Sequence, residues 1–205
     1  MRPLTPDDLL SLQEYAERRA ELFASLNRYL DRYRRIRVGP ELTLVFENRQ
    51  TLWFRLHEVL HVARLSEPER IQEELDLYNQ LLPCDGELQA ALLIDIGDGS
   101  RLTERLAPWQ DFTGDALQLR IGHADFPVRL VTCRPADRCL GAAHWVQVPL
   151  AEPGRKLLAE FKKPARFEAA HRDYRYVSAP LNEEVRQSLL DDLALSAEAG
   201  AALKK

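Results

Sequence analysis

A chain of 205 residues, 45% hydrophobic and 29% charged, is long enough to bury one substantial core. Its net charge of -4 and isoelectric point near 5.8 give no global attraction to nucleic acid or anionic lipid, so any polyanion site must be local. No run approaches the roughly 18 consecutive apolar residues of a membrane span, and the start MRPLTPDD lacks the apolar segment of a secretory signal. Three cysteines without a CxxC pair suit reduced thiols, and the location expected from these features is cytoplasmic.

Thr5-Pro6-Asp7-Asp8 reads as a helix start, and apolar residues from Leu9 to Tyr33 keep one face apolar, predicting one long helix or two consecutive ones over 6–35. Gly39-Pro40 punctuates, and Glu41–Phe46 alternates like a strand. Asn48 caps a helix running to about Arg64. The capping box Ser66-Glu67-Pro68-Glu69 opens another through Leu82, which Pro83 and Gly86 end. Beyond it, Leu88–Ile96, Ala116–Ile121, Phe126–Val131 and His144–Leu150 read as strands, with a short helical piece over Ser100–Leu106. Glu152–Phe161 reads as a helix, Arg166–Ala170 and Arg175–Val177 as short strands, and Asn182–Leu195 as a last amphipathic helix, with Ser196–Lys205 expected to fray. The chain is thus helix-rich over 1–83, strand-rich over 87–178 and helical again over 182–195, with no regular β-α-β alternation. The expectation is one α+β domain, its N-terminal helices packed on a mainly antiparallel sheet and its C-terminal helix closing the fold.

Several stretches carry a family pattern: Gly39-Pro40-x-Leu42-Thr43-Leu44-x-Phe46-Glu47-Asn48-Arg49-x-Thr51, then Glu58-Val59-Leu60, then Ile71-Gln72-Glu73-Glu74-Leu75-Asp76-x-Tyr78-Asn79-x-Leu81-x-Pro83, and Leu88-x-Ala90. With weaker echoes at His144-Trp145 and His171-x-x-Tyr174, they cover nearly the whole chain. The pattern resembles that of a functionally uncharacterised bacterial family, a domain of unknown function. Members are often encoded near rubrerythrin-like proteins and iron–sulfur oxidoreductases, and the resemblance therefore implies a protein partner of that kind in redox or peroxide metabolism. It supplies no catalytic residues. Where this chain has His57 and His61, the family pattern usually has Gln and Arg.

Those histidines form H-E-x-x-H, the spacing with which zinc hydrolases place two ligands and a general base on one helix face, here His57, His61 and Glu58. A third ligand is not specified: the metzincin extension needs Gly and His, whereas the chain continues Val62-Ala63-Arg64-Leu65-Ser66. Glu73 and Glu74 on the next helix are the acids at hand, for zinc or iron. Leu52, Leu56, Val59, Leu60 and Ala63 define an apolar stripe that leaves both histidines on its flank beside Arg64, a solvated or partner-facing helix edge. Glu58 and Glu74 with Tyr78 are the candidates for proton transfer; against this stand a capping role for Asn48, ion pairing for Arg49 and a rim position for Tyr78.

Cys133, Cys139, His123 and His144 gather ligand types in a spacing that matches no usual zinc ribbon, and His171 with Tyr174 offers ligands for haem or iron that are more ordinarily packing residues. Arg28, Arg32, Arg34, Arg35 and Arg37 crowd one helix end. With Asn48 and Arg49 they are the candidate contacts for an anionic cofactor, RNA or an acidic partner, the acidic whole arguing against nucleic acid. There is no Gly-rich phosphate loop and no G-x-S-x-G.

Overall fold

A computed structural model describes residues 1–95, 97, 102–109, 111–112, 114–131 and 143–202, with side chains to Ser196. The first long helix is shorter than its periodicity suggests. Thr5 closes a capping box on Asp8 around a single 3-10 turn, Pro6–Asp8, and the chain re-extends at Leu9. Ser11 then caps α1 (Leu12–Tyr33), accepting from the Glu14 N–H while the Glu14 carboxylate takes the Ser11 N–H. Arg34 caps the end of α1, and Arg35, the last residue of the expected helix, belongs instead to strand β1 (Arg35–Val38), because Ile36 and Val38 alternate into the core. β2 (Leu42–Glu47) pairs with β1, and α2 (Arg49–Ala63) follows. Asn48 caps α2, accepting from Gln50 N and Thr51 N, as expected.

α3 (Pro68–Asn79) starts at Pro68, with no side-chain cap from Glu67 and none from Ser66, since proline at the first position leaves one fewer N–H to satisfy. Then come β3 (Glu87–Ile94), α4 (Leu102–Leu106), β4 (Leu117–Ile121), β5 (Ala124–Pro127), β6 (Arg129–Leu130), β7 (Ala143–Pro149), α5 (Ala151–Ala159), β8 (Ala165–His171), β9 (Tyr174–Val177) and α6 (Glu183–Ala202). The helix persists past Ser196, where fraying was expected. The positions of Cys133 and Cys139 lie outside the described residues.

The expected single sheet is two antiparallel sheets, ordered β1-β2-β3-β7-β6 and β5-β4-β8-β9. The expected strand Phe126–Val131 is what divides them. Pro127 ends β5, Val128 N–H makes the last bond to β4 at the Leu117 carbonyl (2.9 Å), and from Arg129 the chain pairs with β7 of the other sheet. Leu42, Leu44 and Phe46 of β2 face the second sheet, where Phe46 meets Phe167 at 5.7 Å between ring centroids. α6 adds Val185, Leu189 and Leu193 to this intersheet core. The alternate residues Val45 and Ala91 face outward onto Leu26, Tyr29 and Leu30 of α1. A separate apolar cluster, Leu4, Leu52, Leu56, Leu60, Leu75 and Leu82, joins the N-terminal segment to α2 and α3; at about 2 kcal/mol per buried leucine it fixes how these three pieces meet. The architecture is α+β, as the element order implied. No helix is long and apolar enough to cross a membrane among the described residues.

Candidate functional site

The H-E-x-x-H helix is turned further inward than its sequence implies. His57 is 2% exposed, not a helix-edge residue. Its ring lies 3.9 Å from Trp53 and 4.9 Å from Tyr15, centroid to centroid. Nδ1 is 2.8 Å from the Trp53 carbonyl, which can only accept, so Nδ1 carries the proton. Nε2 accepts the Leu10 N–H at 3.0 Å. Both ring nitrogens are thereby occupied, and burial pulls the ring's pKa below its ordinary value, keeping it neutral.

Glu58 faces α1. Arg19 grips it with Nε to Oε1 at 2.8 Å and a second donor to Oε2 at 2.7 Å, while the Tyr15 hydroxyl donates to Oε1 at 2.6 Å. The Arg19 guanidinium holds the carboxyl below its ordinary pKa, and burial, with Glu58 second, pushes the Tyr15 phenol up. A carboxylate so held is a poor general base, because its protonated form is the one disfavoured. His61 packs edge-on to Tyr15 and is half-buried.

Tyr78 and Glu74, candidates for the same site as Glu58, sit in another neighbourhood. Burial raises the Tyr78 phenol, and the charges acting on it are Arg55, Glu74 and Glu47. Glu47, beside Asn48 and Arg49 at the strand-to-helix turn, is 1% exposed. It accepts from the Thr51 hydroxyl and from Arg55 Nε at 2.8 Å, and the Arg55 guanidinium lies 5.5 Å from the centre of the Trp145 ring. In register, Glu47 stands opposite Gln89 and Gln89 opposite Gln147, all on the outer face of the first sheet. The one signal for Glu47 in the sequence was its place where the alternation of β2 predicts an outward side chain directly under a helix start. Among the described residues no three His, Cys, Asp or Glu side chains converge as a metal site requires, so His57, His61 and Glu74 are not brought together as ligands.

The remaining motif residues hold the chain's own N-terminal segment. Asn79 accepts the Leu4 N–H at 2.7 Å and donates to the Leu4 carbonyl at 2.9 Å. Arg49 Nε donates to the Arg2 carbonyl at 3.1 Å, and its guanidinium pairs with Asp8 at 2.6 Å, holding that carboxyl far below its ordinary pKa. Trp53 Nε1 donates to the Asp8 carbonyl at 2.8 Å. Asn48 has a second task besides its cap: its amide donates to the Tyr29 hydroxyl at 2.9 Å, which also accepts from Arg34 Nε at 2.8 Å. Arg34 is ion-paired with Asp192 of α6, both fully buried, and burial raises the Asp192 carboxyl even against the guanidinium.

This dissolves the arginine patch. Arg34 is inside, Arg32 pairs with Glu184 and Arg35 with Asp31, which leaves Arg28 and Arg37 as its exposed members without an ion pair among the described residues. His171 and Tyr174 are likewise committed: His171 Nε2 meets the Pro108 carbonyl at 2.8 Å and the ring stacks on Trp109, while the Tyr174 hydroxyl accepts from Glu41 N and Leu42 N and donates to Val38 O. Cys84 is exposed and unpaired.

A family model described as "Protein of unknown function (DUF3501)" matches residues 3–193. The chain is also similar to a solved structure, a crystal structure at 1.90 Å of a novel protein of unknown function from Burkholderia pseudomallei K96243. The two are 28% identical with a TM-score of 0.84, over 94% of this chain and 100% of that one. No curated protein sequence matches.

Proposed function

Since the chain belongs to the DUF3501 family of proteins of unknown function, we propose that it acts as an accessory protein to a redox partner, and that its H-E-x-x-H helix is a structural clamp. The observation that carries this reading is the occupancy of His57. One ring nitrogen donates to the chain's own helix and the other accepts from the chain's own N-terminal segment, so neither has a lone pair to offer a metal. Glu58 serves Arg19 and Tyr15, and Asn79 and Arg49 serve residues 2–8. The polar letters of the motif are spent on holding the molecule together. The partner class comes from the sequence resemblance, which places such proteins beside rubrerythrin-like proteins and iron–sulfur oxidoreductases. Apolar side chains left in solvent on this side of the molecule, such as Val62 at 73% exposure beside His61 and Arg64, suit a partner's surface.

Two measurements test it. Tagged protein purified from its native cell should enrich an oxidoreductase of that kind, and the absence of any such protein counts against the reading. Elemental analysis of the same preparation should find no stoichiometric zinc or iron; metal that disappears in His57→Ala would replace the accessory role with a metal-dependent one.

A further inference from the structure

Between the β4–β5 hairpin and the connection from α5 to β8 lies an open cleft of about 840 Å³, within the range of small-ligand pockets. Its walls carry Arg120, Lys162, Lys163 and Arg166 against a single carboxylate, Asp125, in a protein whose net charge is -4. The arrangement of the two arginines sets it apart from an ordinary solvated surface. Arg120 and Arg166 stand directly opposite each other in the β4–β8 register, where like charges repel. Glu168 bridges them from one side, at 2.9 Å from Arg120 and 3.2 Å from Arg166 Nε. Arg120 is further held by Asp125 and Lys163 by Glu160. What remains uncommitted among the described residues is the outer edge of the Arg166 guanidinium, the Lys162 ammonium and the His123 ring.

Those donors come from two segments, the tip of the β4–β5 hairpin and the stretch that runs from α5 into β8. The hairpin turns at Gly122, in the left-handed region at φ +59°, which carries His123 to the rim. Gly122 N–H donates to the Pro164 carbonyl at 2.9 Å, tying the hairpin tip to the segment that bears Lys162 and Lys163. Ile121 and Leu157 supply an apolar floor. A forked guanidinium edge and an ammonium facing one cleft match the oxygens of a phosphoryl group.

We propose that this cleft binds a small molecule bearing one or more phosphate groups. The inference does not depend on the accessory role proposed above. Its dimensions are those of a compact ligand, and the acidic charge of the rest of the molecule argues against an extended nucleic acid.

Calorimetric titration with inorganic pyrophosphate at low salt should give saturable 1:1 binding that weakens as salt is added. Lys162→Ala, at an exposed position that does not endanger folding, should weaken it about tenfold, and Arg166→Gln by at least as much. Arg37→Ala, an exposed arginine on β1 outside the cleft, should leave it unchanged. Non-saturating uptake, or equal losses in Lys162→Ala and Arg37→Ala, would overturn the site. If poly-glutamate displaces pyrophosphate at lower concentration than pyrophosphate itself requires, the cleft receives an acidic protein and the small-ligand assignment fails.

Discussion

The backbone N–H of Leu10 donates to Nε2 of His57 across 47 residues of sequence, at 3.0 Å, and through this bond the first histidine-bearing turn of α2 fastens the N-terminal segment. The bond requires the neutral ring, with its proton on Nδ1.

His57→Ala should therefore cost about 2–4 kcal/mol, combining an unpaired Leu10 donor with lost packing on Trp53 and Tyr15. The wild type should also weaken as pH falls. Above 6.5 the ring is neutral in both states; below it the unfolded chain takes up a proton that the buried ring, with its lowered pKa, refuses, and stability drops until the folded pKa is reached. Thermal unfolding from pH 8 to pH 5 would show this slope, diminished in His57→Gln. An equal slope in both proteins would mean that another group is responsible.

Glu58 makes a smaller contribution of the same pH sense, in a more acidic window. The Arg19–Glu58 pair is partly exposed, at 46% and 24%, so solvent screening limits it to about 1 kcal/mol or less. With its pKa depressed by Arg19, that contribution is present above the ordinary value of 4.5 and is lost as pH falls through the carboxylate range. A double-mutant cycle of Arg19→Met and Glu58→Gln measures the coupling; an interaction near 3 kcal/mol would show a much drier site than this one.

Breaking the Arg34–Asp192 pair is a different matter, since both groups are buried. Arg34→Met or Asp192→Asn alone should each cost about 3–5 kcal/mol by stranding the other group, while the double change Arg34→Met, Asp192→Leu should cost less than the two together. Urea unfolding of the three variants decides it, strict additivity being the result that would refute the pairing.

Much of this was legible beforehand, and the division follows range. Alternation in β2 and the Asn48 cap are local, and they stand as read, whereas the buried face of α2 keeps Leu52, Leu56 and Leu60 but takes in Phe54 and His57 and leaves Ala63 exposed. The 3-10 turn at Pro6 was hidden because Thr5 and Ser11 are both good caps with an acid three residues on, and only packing chooses between them. The inward turn of His57 was hidden too, since the surface that covers it, residues 8–15, lies 40 or more positions away. The split of Phe126–Val131 between two sheets could have been suspected from Pro127, which a central strand does not tolerate.

Arg186 offers a further stability test. It is 1% exposed and makes no ion pair among the described residues; its guanidinium donates to the carbonyls of Leu157, Leu158, Glu160, Phe161 and Lys163, closing the C-terminal end of α5. Burial lowers its pKa. Arg186→Lys keeps the charge but provides three donors on a single atom, and it should lose about 2–3 kcal/mol in chemical denaturation. A neutral result would show that water replaces the guanidinium at these carbonyls.

Chain ends are ordinarily the first segments to open to solvent. Here the Leu4 and Leu10 amides are tied to Asn79 and His57, and Leu4 is sealed in an apolar cluster with α2 and α3. In native-state hydrogen exchange these two protons should persist about as long as those of the central strands.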